Sequence, residues 1–223
     1  MIIIRHFLLF AVCGLLVLQS QAQINDVRIW TSATVKHKIT RKLSASVNEE
    51  LRLNHDVTEI DQLFSDAGIE YELFKNFKVA LNYRFINKNK FTYYEKGHRL
   101  YSDVSYKYKK KRYSVSLRER IEDEYTAILS SETGKVPTWN SRTKLTFAYT
   151  PKSKYIPYAS FEVYYLFSHP KDKNLGYNRY RCTAGVEYDF NKIHSIEVYT
   201  LFQKDVIYLD NAIVYGIGYT FNL

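Results

Sequence analysis

Residues 77–86 read Phe77-Lys78-Val79-Ala80-Leu81-Asn82-Tyr83-Arg84-Phe85-Ile86. Successive side chains of an extended strand point to opposite faces, so Phe77, Val79, Leu81, Tyr83 and Phe85 share one face and Lys78, Asn82 and Arg84 the other. A helical period would mix these two sets. The same device brackets this stretch on both sides. Leu43, Ala45, Val47, Leu51 and Leu53 alternate with Ser44, Ser46, Asn48, Glu50 and Arg52. Leu63, Ala67, Ile69, Tyr71 and Leu73 alternate with Asp66, Gly68, Glu70 and Glu72. Leu100, Val104 and Tyr106 oppose Arg99, Asp103 and Lys107, and Tyr113, Val115, Leu117 and Ile121 oppose Arg112, Arg118, Arg120 and Glu122.

The second half repeats the pattern. Leu145, Phe147 and Tyr149 oppose Arg142 and Lys144; Ala159, Phe161, Val163 and Phe167 oppose Ser160, Glu162 and Tyr164. Tyr180, Ala184, Val186 and Tyr188 oppose Arg179, Arg181, Glu187 and Asp189, and Ile196, Val198 and Phe202 oppose Glu197 and Gln203. The last segment sets Ile213, Tyr215, Ile217, Tyr219, Phe221 and Leu223 against Gly216, Gly218, Thr220 and Asn222. A water-soluble sandwich also alternates, with its apolar face in the core. Strand length separates the two cases. These segments run to about ten to fourteen residues, which suits a tilted transmembrane strand, whereas strands of globular proteins commonly have about five or six.

Tight turns are expected at 40–42, 74–76, 109–112, 150–156 and 191–194, and longer loops at 55–62, 87–97, 123–138, 168–176 and 204–211. Short turns at one end and long loops at the other are the habit of outer-membrane barrels. The expectation is an all-β fold: a single antiparallel transmembrane β-barrel over 43–223 with about ten strands, short periplasmic turns and longer outer loops. Parity leaves one segment over. Val27, Ile29, Ala33 and Val35 alternate with Arg28, Trp30 and Lys36, yet as an eleventh strand this stretch would close parallel to the last. Residues 23–42 are therefore expected to form a plug, a cap or an extra strand, with ten wall strands preferred and 24–39 inside the barrel or over its end. Twelve strands remain the alternative.

Residues 1–22 read as a signal peptide. Arg5 is its charged start, 7–18 its apolar run, and Ser20-Gln21-Ala22 the small-x-small site before Gln23. The apolar run is short for crossing roughly 30 Å of hydrocarbon. Cleavage after Ala22 removes Cys13 and leaves Cys182 alone, so no internal disulfide framework is possible. The expected location is the outer membrane of a Gram-negative bacterium. Composition agrees: 21 Tyr and 13 Phe with a mean hydropathy of −0.35 suit interfaces of hydrocarbon with water. Without Arg5, 31 basic residues face 23 acidic. An exported chain rarely meets nucleic acid, so no nucleic-acid partner is expected. The basic excess collects in the tight turns, at Arg41, Lys42, Lys75, Lys109, Lys110, Lys111, Arg112, Lys152, Lys154 and Lys192, where it can meet anionic head groups.

The ionic face supplies the candidate lumen: Glu50, Arg52, Glu70, Glu72, Arg84, Arg99, Asp103, Arg118, Arg120, Glu122, Arg142, Glu162, Arg179, Arg181 and Glu187. An unpaired buried charge is costly, so these are expected to pair. Three roles stand open: a salt-bridged plug stiffening the wall, a narrow porin-like passage or pocket for small solutes or anions, and an accessory subunit of a larger outer-membrane assembly. Glu49 and Glu119 fall on the apolar face, which invites the third reading.

Trp30, Glu50 with Arg52, Tyr83-Arg84, His98-Arg99, Arg118-Glu119-Arg120, Glu162 after Pro157, and the run from Arg179 to Gly185 together resemble the Bacteroidota outer-membrane barrels grouped as domain of unknown function 2490. The last strand, with aromatics alternating to its end, is similar to the terminal strand by which barrels are recognised for assembly. That implies the barrel-assembly machinery and outer-membrane lipid as partners. The resemblance implies a location and a fold but no reaction.

Catalytic patterns are missing. None of His37, His55, His98, His169 or His194 is followed two residues later by Ser, the spacing that would put base and hydroxyl on one strand face. His194 and Ser195 are neighbours and point apart. His55-Asp56, and His98 with Glu95, read as loop residues. No Cys/His metal spacing, phosphate-binding Gly loop or Gly-x-Ser-x-Gly occurs. An outer-membrane lipid-modifying enzyme, a hydrolase, is the least favoured alternative; no enzyme, metal or cofactor is expected.

Overall fold

The computed structural model describes residues 26–126, 132–170, 175–207 and 210–223. The segment read as a signal peptide, residues 1–22, lies outside them. Strands β1 (Asp26–Lys38), β2 (Leu43–Asn54), β3 (Glu59–Phe74), β4 (Phe77–Asn89), β5 (Tyr94–Lys110) and β6 (Tyr113–Thr126) precede a short 3-10 turn at Thr133–Lys135. Strands β7 (Thr138–Tyr149), β8 (Tyr155–Ser168), β9 (Gly176–Asp189), β10 (His194–Asp205) and β11 (Asn211–Asn222) follow. Each pairs antiparallel with its sequence neighbour, and β1 pairs parallel with β11 to close the barrel.

The all-β barrel is as expected, but its strand count is not. Ten wall strands with 24–39 inside or capping must be corrected to eleven, with the leftover segment forming β1. That strand is paired along both edges, from Ile29↔Leu53 to Lys38↔Ser44 with β2 and from Asp26↔Ala212 to Lys36↔Asn222 with β11. Its Val27, Ile29, Ala33 and Val35 continue the apolar exterior, while Trp30 is buried inside. The parity rule failed because a parallel ladder satisfies a strand's backbone as completely as an antiparallel one. Either way the sheet is left with no open edge.

The loop asymmetry is also weaker than expected. The tight-turn end has connections at 39–42, 75–76, 111–112, 150–154 and 190–193. At the other end, 55–58, 90–93 and 206–210 are nearly as short, and only 127–137 and 169–175 are longer. Strands β3, β5 and β6 run on through residues that the sequence places in loops. Beyond the apolar band both faces of a strand are polar, so the period-two signal fades while pairing continues. Asn76 and Lys111 adopt φ of 69° and 54° in the two-residue turns, the positive φ that such hairpins need.

Burial is inverted relative to an ordinary globular fold. Val47, Ile69, Leu81, Phe147, Val198 and Tyr215 are exposed, whereas Arg84, Glu122, Glu162 and Arg181 are buried. The wall is smooth inside along β11, where Ala212 and Val214 are fully covered and Gly216 and Gly218 follow. A Cβ at Gly216 would collide with the Tyr199 ring, and one at Gly185 would come within 2.7 to 2.8 Å of Tyr158. These glycines let two tyrosine rings lie against the inner wall. Trp30, Leu201 and Val214 pack into a small apolar cluster with Tyr199 beside them. This cluster thickens one side of the lumen, and the ionic side chains fill the rest.

Candidate functional site: a lumen divided at mid-height

Strand alternation delivers one side chain in two to the lumen, and cross-strand register decides which charges meet. On β2 to β4, Arg52 binds Glu50 at 2.6 Å, Arg84 binds Asp66 at 2.7 Å, and Arg84 lies 3.8 Å from Glu50. On β5 and β6, Arg120 grips Asp103 with two bonds of 2.6 and 2.7 Å, and Arg99 pairs with Glu124 and lies 3.8 Å from Glu122. On β6 to β9, Glu162 gathers Arg118 at 2.6 Å, Arg142 at 3.0 Å and Arg181 at 3.8 Å. Arg142 also reaches Glu122 at 3.3 Å, and Arg179 binds Asp205 at 2.9 Å. These are charge-assisted bonds in an enclosed space, where bidentate guanidinium geometry fixes position as well as energy.

Aromatic rings tie these pairs into a layer across the lumen. The Arg52 guanidinium lies 3.8 Å from the centre of the Trp30 ring and 4.5 Å from that of Phe64; Arg84 covers the other flank of Phe64 at 4.4 Å. Arg181 reaches both Trp30, at 5.1 Å, and Tyr164, at 4.9 Å, and Arg142 lies 4.6 Å over Tyr164. Each such contact is worth about 0.5–2 kcal/mol, more where water is excluded. Arg181 also donates to the Tyr164 hydroxyl and, at 2.9 Å, to Gln203 Oε1.

Two chambers lie on either side of this layer. The outer one, about 350 Å³, is toward the end opposite the tight turns and is lined by Arg99, Glu122, Glu124, Arg179, Ile86 and Leu166. The inner one, about 480 Å³, is lined by Arg118, Arg120, Lys144, Glu162, Tyr158 and Glu197. Arg52, Arg84, Arg142 and Arg181 border both. Below the inner chamber a mouth of about 600 Å³ opens between the tight turns and shares Lys36 with it.

The structure brings most of the expected lumen residues into one connected network but leaves three apart. Glu70, Glu72 and Glu187 line the tight-turn mouth, where Glu70 pairs with Lys78 at 2.5 Å. Sequence reasoning missed several members. Asp66 and Tyr164 occupy the ionic face by parity and were available to it, as was Trp30. Glu124 and Asp205 were out of reach because they lie in strand ends that read as loops. Phe64, Ile86, Leu166 and Leu201 are apolar residues on the inner face, against the alternation of their own strands.

On the exterior, Glu49 and Glu119 each have a partner within the wall. The Ser65 hydroxyl donates to Glu49 at 2.8 Å and the Thr143 hydroxyl to Glu119 at 2.5 Å. His98 and His194 also face outward, bonded to the Tyr83 and Tyr219 hydroxyls at 2.6 Å each.

The family described as Protein of unknown function (DUF2490) matches residues 27–206, from β1 to the end of β10. The chain belongs to this family. The DUF2490 match opens within β1, so the family unit takes in the parallel closing strand together with the wall that follows it. A search of curated proteins finds no match to the chain.

Proposed function

We propose that this chain is a non-enzymatic outer-membrane barrel, exported with a signal peptide cleaved after Ala22, whose lumen is an ion-paired core closed to flow. The observation that carries the reading is the inversion of burial: apolar side chains look outward and guanidinium–carboxylate pairs are enclosed. An apolar wall of this extent would drive association in water, whereas hydrocarbon suits it and a closed sheet leaves no backbone group unpaired. Strands of 12 to 17 residues exceed the roughly 9–11 needed to span a bilayer when tilted. The basic tight turns favour the periplasmic side, next to phospholipid head groups.

The cation–π layer supports closure, because the same four guanidiniums border both chambers. A hydrolase reading finds no support in the candidates for one. His98 and Glu95 take opposite faces of β5, and Asp56 is engaged by the Val27 backbone N–H at 3.3 Å. The accessory-subunit reading weakens in the same way, since Ser65 and Thr143 already answer Glu49 and Glu119.

Reconstitution of the full-length mature protein in planar bilayers tests the reading. A flat current trace is expected. Stable single-channel steps would make the barrel a pore, the second reading, which the basic excess of the inner chamber favours for anions. Recovery of the protein in the soluble fraction without detergent would end the membrane assignment.

A further inference from the structure

The inner chamber holds more positive charge than its carboxylates answer. Eight basic side chains line it against four acidic ones. Three of the eight are settled: Arg52 by Glu50, Arg84 by Asp66 and Arg120 by Asp103. Of the other five, Arg118, Arg142 and Arg181 share Glu162, Arg142 reaching Glu122 as well, while Lys36 stands at the mouth and Lys144 beside Glu162. Arg181 has no closer carboxylate than Glu162 at 3.8 Å; its short bonds go to neutral Gln203 and Tyr164. Among the described residues Lys144, the cross-strand neighbour of Glu162, has no carboxylate within salt-bridge distance, although the charges of Glu162 and Glu197 act on it from further off. Hydrogen bonding shows the same shortage, for Arg118 Nε and Arg142 Nε are buried without an acceptor.

Enclosed charge of one sign is expensive unless a counter-ion joins it. We propose that the inner chamber binds a tetrahedral dianion of phosphate or sulfate type between Arg118, Lys144, Arg142 and Arg181. Guanidinium forks match the edges of such an oxyanion, and the lysine adds a point charge. A volume of about 480 Å³ leaves room for it. The outer chamber is also lined by more basic than acidic side chains, seven against three, but there Arg99 meets Glu124, Arg142 meets Glu122 and Arg179 meets Asp205. Entry is from the tight-turn end, where Lys36 lines both the mouth and the chamber. The site rests on the barrel reading proposed above, with the layer of rings and guanidiniums as its ceiling.

Titration calorimetry of the purified full-length mature barrel in detergent tests the site, with sodium phosphate or sulfate added at constant ionic strength set by chloride. Saturable binding of both is expected, with chloride unable to replace them. Lys144→Met weakens binding by about tenfold, as loss of one charged hydrogen bond does, and its melting temperature in phosphate-free buffer stays level or rises because an unanswered cation has gone. Glu162→Gln does the opposite: it tightens phosphate binding and makes the melting temperature more dependent on phosphate. The triple variant Lys109→Gln, Lys110→Gln, Lys111→Gln at the rim binds as the parent does. Equal phosphate affinity in the parent, Lys144→Met and Glu162→Gln overturns the site, as does a drop in phosphate-free melting temperature for Lys144→Met. Bilayer steps with intact binding would remove the closed-lumen reading and leave the site standing. Flat traces without binding would remove the site alone.

Discussion

At Glu162 three guanidiniums compete for one carboxylate, at 2.6, 3.0 and 3.8 Å. Replacing it by Ala strands Arg118, Arg142 and Arg181 in an enclosed space, where breaking a buried pair costs about 3–5 kcal/mol. Glu162→Ala is expected to lower the temperature at which the barrel loses its compact gel mobility, whereas Glu187→Ala at the open mouth changes it little. The exterior reverses the sign. Glu49 is exposed on the apolar face and, among the described residues, its side chain is hydrogen-bonded by the Ser65 hydroxyl alone. If the proposed membrane setting holds, Glu49→Leu stabilises the barrel in detergent by about 1 kcal/mol, since a carboxylate facing lipid is a modest burden. A loss of stability, or loss of a co-purifying protein, would mean that this face is covered by a partner. Parity alone made these two glutamates legible as opposites, one inside and one out. What it could not reveal was the sharing of Glu162, because that depends on β6, β7, β8 and β9 meeting in register across the sheet.

At the scale of the strand, alternation was legible wherever an apolar side existed. It put Leu81 and Tyr83 outside and Arg84 inside from ten residues of sequence, and β4 has that arrangement. It failed where no such contrast exists. The far ends of β3 and β5 at Glu59 and Tyr94 lack a sustained apolar row, and their strand character comes from neighbours such as Asn54 and Asn89. It failed again at β1, whose pattern was read correctly and whose place was not, because local sequence carries no record of which edge a strand will meet. The parallel seam is open to a direct check. Ser32 and Gly218 are partners across it, and the Ser32 hydroxyl lies 3.1 Å from where a Cβ on Gly218 would stand. With Cys182 changed to Ser, the pair Ser32→Cys and Gly218→Cys should cross-link under mild oxidation and Ser32→Cys with Thr220→Cys should not. The reverse result would mean a different register or an open seam.

For the molecule as a whole, the lumen acts as the core that the exposed apolar exterior does not supply. In the proposed outer-membrane setting the outside meets a solvent as apolar as itself, so the ion pairs and stacked rings within are what set the cross-section of the barrel. Removing the layer should open a path. The triple variant Trp30→Ala, Tyr164→Ala, Arg181→Ala deletes the rings and one guanidinium that join β1 to β8 and β9. It is expected to give bilayer steps, selective for anions given the remaining basic excess, where the parent is expected to give none; a flat trace from the variant would place the closure elsewhere. The odd number of strands has a topographic result as well. Asp26 begins β1 at the end opposite the tight turns, and Asn222 finishes β11 beside them. In the proposed outer-membrane setting, small epitopes set at these two positions should report to opposite sides of the envelope, one reachable by antibody on intact cells and the other only after permeabilisation. An even-stranded wall would show both or neither.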